Sequence, residues 1–217
     1  MNSPSKIQGT FQSRKRKADS SITEFLSLPE NIRLALHVAE AMGDVFRDLR
    51  MKFATALLSG LKARLKGKTI YRHFRFETGE ELGRNFRYYG VWGIPEGIAQ
   101  EYYLYYIIAY AEEGGEHYLY YGLEWGSANS AEPPGYSTKT SPLRDYLIDN
   151  GYEVNKWSYG WKTIEQYSDH REFVIALAER SAYLVEECLN LFENFFEQTA
   201  EMVMATNKRL KTVRASR

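Results

Sequence analysis

Between Ile70 and Trp125 the periodicity of this chain changes from seven to two, and that block dictates an antiparallel sheet. Four stretches, Ile70 to Glu77, Arg84 to Ile94, Glu101 to Ala111 and His117 to Trp125, are rich in aromatic and β-branched residues and read as strands. The last two are joined by Glu112-Glu113-Gly114-Gly115-Glu116, whose glycines suit a tight turn, so these two strands are expected to pair antiparallel. Of the 17 tyrosines, 11 fall in this block. Neighbouring strand residues point to opposite faces, so the doublets Tyr102-Tyr103, Tyr105-Tyr106 and Tyr120-Tyr121 put a phenol on each side of the sheet. Both faces are therefore expected to be at least partly covered.

Two long amphipathic helices flank the block. Ser27-Leu28-Pro29-Glu30 reads as a capping box with an early proline. Ile32, Ala39, Phe46 and Phe53 then recur every seven residues, with Ala35, Met42, Leu49 and Ala56 three positions later, until Gly67 ends the helix. Such a helix spans about 55 Å, longer than a small domain is wide, so packing on a partner chain is expected beside packing on its own core. Asp169-His170-Arg171-Glu172 is a second capping box, opening a helix to about residue 210 with the stripe Leu177, Leu184, Cys188, Leu191, Phe192, Phe195 and Met202. Between sheet and last helix, Ser141-Pro142 starts a short helix ending at Asn150-Gly151, and Glu153 to Trp161 adds a fifth strand. The fold class is thus α+β, a four- to five-stranded antiparallel aromatic-rich sheet packed with two long helices.

With 217 residues one domain is expected, spanning 23–210, between a flexible basic tail at 1–22 and a shorter one at 211–217. The first tail carries Arg14, Lys15, Arg16 and Lys17, a solvated run that would serve as a nuclear import signal in a eukaryotic chain. The segment 126–141 has no periodic pattern, and unstructured connections of that length are usually functional or disordered. The lone Cys188 excludes an internal disulfide, and MNSPSKIQGT lacks the apolar core of a secretory signal, so a reducing, cytoplasmic location is expected. No run of about 18 apolar residues suggests a membrane span.

The formal net charge of zero hides a polarised chain. Between Asp48 and Glu77 lie Arg50, Lys52, Lys62, Arg64, Lys66, Lys68, Arg72 and Arg75 without one acid, and between Arg87 and Lys139 lie seven glutamates without one Lys or Arg. The basic set could track phosphates, which makes a nucleic-acid-binding module one reading. The final helix, rich in Glu172, Glu179, Glu186, Glu187, Glu193, Glu197 and Glu201, offers internal partners for the same cations.

Chemical motifs are sparse. His37, His73, His117 and His170 form no HxH, HxxxH or HExxH pair, so no metal and no cofactor is expected. Cys188 sits in an apolar stripe, where a buried, inert thiol is ordinary. Glu124, near the end of a strand and before the long loop, is the best single carboxylate candidate, and a solvent-facing strand position is its ordinary alternative.

Tyr120-Tyr121-Gly122-Leu123 on a strand, followed by a helix and by Trp157-Ser158-Tyr159-Gly160-Trp161 before a closing helix, resembles the non-catalytic C-terminal part of bacterial and phage proteins of the PD-(D/E)XK nuclease superfamily. About a third of the chain is covered. The family's chemistry needs an acid-x-lysine on a strand, and the nearest string, Glu153-Val154-Asn155-Lys156, spaces acid and lysine by three, on opposite strand faces. No catalytic residue carries over. The resemblance implies a module of a defence or mobile-element system that binds without cutting.

The reading that follows is a non-enzymatic interaction protein, a dimer or a subunit of a larger complex, with Phe46, Phe53, Tyr103, Tyr105 and Tyr121 as interface residues. A nucleic-acid-binding accessory module and a metal-dependent nuclease-like hydrolase are the alternatives.

Overall fold

The computed structural model describes residues 20–82, 86–97, 102–113, 116–127, 142–155, 158–167 and 169–212. The chain divides into two compact units, one ending at Val45 and one beginning at Phe46. The aperiodic segment and the C-terminal tail expected from the sequence lie almost wholly outside the described residues, as do positions 1–19 of the N-terminal tail.

The first unit opens with α1 (Ser20–Ser27), so helix begins within the stretch expected to be tail. Ser27 does not cap the long helix. Its Oγ donates to the Thr23 carbonyl at 2.7 Å and closes the last turn of α1, a local bond that withdraws the hydroxyl from the capping role. Asn31 makes the new start: its amide Nδ2 donates to the Phe25 carbonyl at 3.0 Å, and its own carbonyl accepts from Ala35 N–H at 2.9 Å. The long helix α2 runs from Ile32 to Leu65 and stops at Gly67, which adopts φ +95°, as the glycine pattern predicts.

In the second unit, α2 contributes Phe53, Ala54, Leu57, Leu61 and Leu65 to the core. A 3₁₀ turn over Thr69–His73 follows, held by Lys68 N–H to Leu65 O and Tyr71 N–H to Lys68 O. Those bonds displace the first strand from its expected start at Ile70. The strands are β1 (Phe74–Leu82), β2 (Phe86–Pro95), β3 (Tyr102–Glu113), β4 (Glu116–Ser127) and β5 (Ser158–Thr163), all antiparallel in the order β1-β2-β3-β4-β5. β3 and β4 pair from Tyr102↔Ser127 to Glu113↔Glu116, the hairpin read from the sequence. The fifth strand starts five residues later than expected because Glu153 makes only an isolated bridge to Trp161, with both backbone bonds at 2.9 Å.

One sheet face, with Phe74, Phe76, Tyr89, Val91, Leu104, Tyr106, Ile108, Tyr110, Leu119, Tyr121 and Leu123, belongs to the main core. That core is completed by α2, α3 (Pro142–Asp149), α4 (His170–Glu179) and α5 (Ser181–Thr212). Tyr106 is its hub, with the rings of Phe74, Phe192, Phe195 and Phe196 at 5.4, 5.9, 5.6 and 5.0 Å. The opposite face carries a smaller cluster of Ile107, Ala109, Ala111 and Tyr120, ringed by the partly buried Tyr88, Trp92, Tyr105, Tyr118 and Trp161. Two of the three tyrosine doublets split as predicted: Tyr106 and Tyr121 enter the main core, Tyr105 and Tyr120 the second cluster.

The helix expected as one piece from Asp169 to residue 210 is two. Asp169 does cap α4, accepting from Arg171 N–H at 2.7 Å, but Arg180 leaves helical geometry at φ −145°, ψ 39°. The break lets two apolar stripes aim differently. Phe173 of α4 stacks on Tyr110 at 4.3 Å, whereas α5 sends Phe192 and Phe196 against Phe76 and Tyr106.

Candidate interaction surface

The N-terminal unit carries the most unusual surface of the molecule. Ile22, Phe25, Leu28, Ile32, Leu34, Leu36, Val38, Met42 and Val45 are all exposed, from 37% at Met42 to 59% at Leu36. At 100° per residue, Ile32, Leu34, Ala35, Leu36, Val38, Ala39, Ala41, Met42 and Val45 sweep an arc of about 220° around α2, and Arg33, His37, Glu40 and Asp44 fill the remainder. His37 and Glu40 lie 3.8 Å apart on that polar side. A helix with such a face is ordinarily buried on it. Isolated exposed apolar residues are normal, as Ile148 and Tyr183 illustrate in the second unit, but nine within 24 positions form a patch of the kind that marks association.

The basic segment is broken up by internal partners. Arg50 is buried, 5% exposed, with its guanidinium 4.7 Å from the Tyr110 ring centre, 5.1 Å from that of Tyr89, and 3.9 Å from the Glu112 carboxylate. Arg64 donates to Asn190 Oδ1 at 2.7 Å and to Glu193 at 3.1 Å, and also pairs with Glu186. Lys68 reaches Glu193 at 2.7 Å and pairs with Glu197. Lys52 pairs with Asp48 at 2.7 Å and Arg75 with Glu77 at 3.1 Å. Lys62, Lys66 and Arg72 are exposed. Burial works against the charges of Arg64 and Lys68, yet the glutamates of α5 raise both pKa values; Lys68, with Arg64, holds the Glu193 carboxyl below its ordinary range. Being depressed, Glu193 contributes stability above the ordinary carboxylate pKa that is lost as pH falls through its folded value.

Of the aromatic residues expected at an interface, Phe53 and Tyr121 sit in the main core, at 2% and 7% exposure. Phe46 packs edge-on against His170 at 5.4 Å. Tyr103 and Tyr105 are partly exposed on the second sheet face, 6.2 Å apart. Glu124 lies on that face too, where its two oxygens accept from Tyr105 Oη and Tyr120 Oη, each at 2.7 Å. Burial and the charge of Glu124 push the Tyr120 phenol well above its usual range, so it stays a donor. A carboxylate engaged on both oxygens is a structural acceptor rather than a poised base. Among the described residues, no three His, Cys, Asp or Glu side chains gather where they could hold a metal. Cys188 is buried, which raises its thiol well out of the reactive range.

Spacing rules missed one cluster entirely. His117 at the start of β4 and His170 in the first turn of α4 stack with ring centres 4.4 Å apart. Both Nδ1 atoms meet the Tyr110 hydroxyl, at 2.7 Å for His117 and 2.5 Å for His170. The two lie 53 positions apart in sequence, and the pairing of β3 with β4 and the cap of α4 bring them together.

No helix among the described residues is long and apolar enough to cross a membrane. Comparison with known protein families, curated proteins and solved structures finds no match.

Proposed function

We propose that the chain is a non-enzymatic interaction protein that self-associates through the apolar arm formed by α1 and the first half of α2. The exposed patch from Ile22 to Val45 carries this reading. Burying a Val, Leu, Ile, Phe or Met side chain is worth about 1.5–3 kcal/mol, so leaving nine of them in water is a large driving force for association. A second copy supplies the same face, and isologous pairing covers both at once. A subunit contact within a larger complex is the wider form of this reading.

The internal pairing of Arg50, Lys52, Arg64, Lys68 and Arg75 leaves a nucleic-acid role resting chiefly on Lys62, Lys66 and Arg72, too few to hold a long phosphate track. The triple substitution Leu34→Glu, Val38→Glu, Val45→Glu changes only exposed positions, so the fold should persist. It is expected to weaken self-association at least about a hundredfold in sedimentation velocity, the effect of placing carboxylates inside an apolar contact. Unchanged association would exclude the arm as the contact.

A further inference from the structure

The histidine pair belongs to the second unit alone and stands independently of the arm. Its geometry is set by the valences of one hydroxyl. Tyr110 Oη has one proton and two lone pairs. Both described partners of this oxygen are imidazole nitrogens, so its one proton goes to one Nδ1 and a lone pair accepts from the other. One Nδ1 must therefore carry hydrogen and donate, while the other must be bare and accept. At neutral pH the two histidines are held in opposite tautomers.

We propose that Tyr110, His117 and His170 form an acid-sensitive latch that closes the Phe46–Arg50 turn of α2 and the start of α4 onto the β3–β4 hairpin. When the bare Nδ1 takes a proton, the ring becomes a second donor facing Tyr110, and the hydroxyl proton is left without an acceptor. The new cation also lies in a stack with the other imidazole and beside Arg50. The groups facing the pair are Arg50 from α2, Tyr110 and Glu112 from β3, and Asp169 ahead of α4. Phe46 and Phe173 supply apolar walls. Glu112 and Asp169 favour the protonated rings, but Arg50 opposes them, and its buried Nε has no hydrogen-bond partner among the described residues.

Burial holds both imidazoles below their ordinary value, with Arg50 adding to the effect. The sign follows directly. The opened state binds more protons than the closed one, so closure is favoured above the ordinary histidine range and weakens as pH falls through it, until the folded values are passed.

Hydrogen exchange along α4, corrected for the intrinsic rate, reads the latch. Opening is expected to rise about tenfold per pH unit for each proton taken up, on going from pH 7 towards 5. The double variant His117→Asn, His170→Asn keeps an amide where each Nδ1 stood and cannot titrate. It should lose this dependence, and retention of the wild-type slope would overturn the proposal. A measurement on the wild type guards against a variant that fails to fold. Nitrogen-15 correlation spectra at pH 8 should show one Nδ1–H and one Nε2–H ring, and two rings in the same tautomer would equally overturn it.

Discussion

Substitution of Asn207 by leucine is expected to remove about 2–5 kcal/mol of stability, read as a lowered urea midpoint with an unchanged slope. Pairing between β2 and β3 ends at Gly93↔Tyr106, and continuing that register would set Pro95, which has no N–H, opposite Leu104. Asn207, buried on α5, takes the place of the missing strand. Its Oδ1 accepts from Leu104 N–H at 2.8 Å and its Nδ2 donates to the Leu104 carbonyl at 3.0 Å. Leucine fits the volume but leaves both backbone groups buried without a partner, at about 1–3 kcal/mol each. A loss within about 0.5 kcal/mol would mean that water or a shifted strand satisfies Leu104.

The Tyr106→Ala variant should lose about 3–5 kcal/mol, and Tyr106→Phe only about 1. The ring touches four phenylalanines from β1 and α5, so its removal opens a cavity where sheet and helix meet. Its hydroxyl shares a 2.7 Å bond with Thr199, whose Oγ1 also donates to the Phe195 carbonyl at 2.7 Å. Losing the hydroxyl therefore leaves Thr199 with a partner. Comparable losses from the two variants in urea titration would shift the weight from packing to the hydrogen bond.

These two positions also show how much was legible from the residues. Tyr106 announced itself, because a doublet on a strand must send one ring to each face, and the flanking helices had aromatic stripes ready to receive it. Asn207 did not. An asparagine near the end of a long helix reads as solvated until the register of β2 against β3 reveals the vacancy beside Leu104. The same limit hid the histidine pair, since a spacing scan sees one element at a time and His117 and His170 lie on two.

Local competition explains the remaining differences. Ser27 matches a capping box, yet an upstream turn captured its hydroxyl first. Arg180 sits in an unbroken heptad pattern, and only the divergent targets of Phe173 and Phe192 account for the break there. The seven-residue repeat of α2 holds only in part: Phe53 is buried and Leu49 packs against the core, but Ala56 is exposed, and Ala54, Leu57, Leu61 and Leu65 take the buried positions instead. Beyond Phe46 the helix enters the chain's own core, whereas the stretch up to Val45 stays exposed. The expectation that this helix packs partly on another chain arose from its length, and the proposed self-association assigns that contact to the exposed patch.

The molar mass of the full chain in solution tests that claim most directly. Multi-angle light scattering behind a sizing column, at micromolar concentration and above, should return at least twice the 25.2 kDa of one chain, falling towards that value on dilution. A constant 25.2 kDa throughout that range would contradict self-association through the arm.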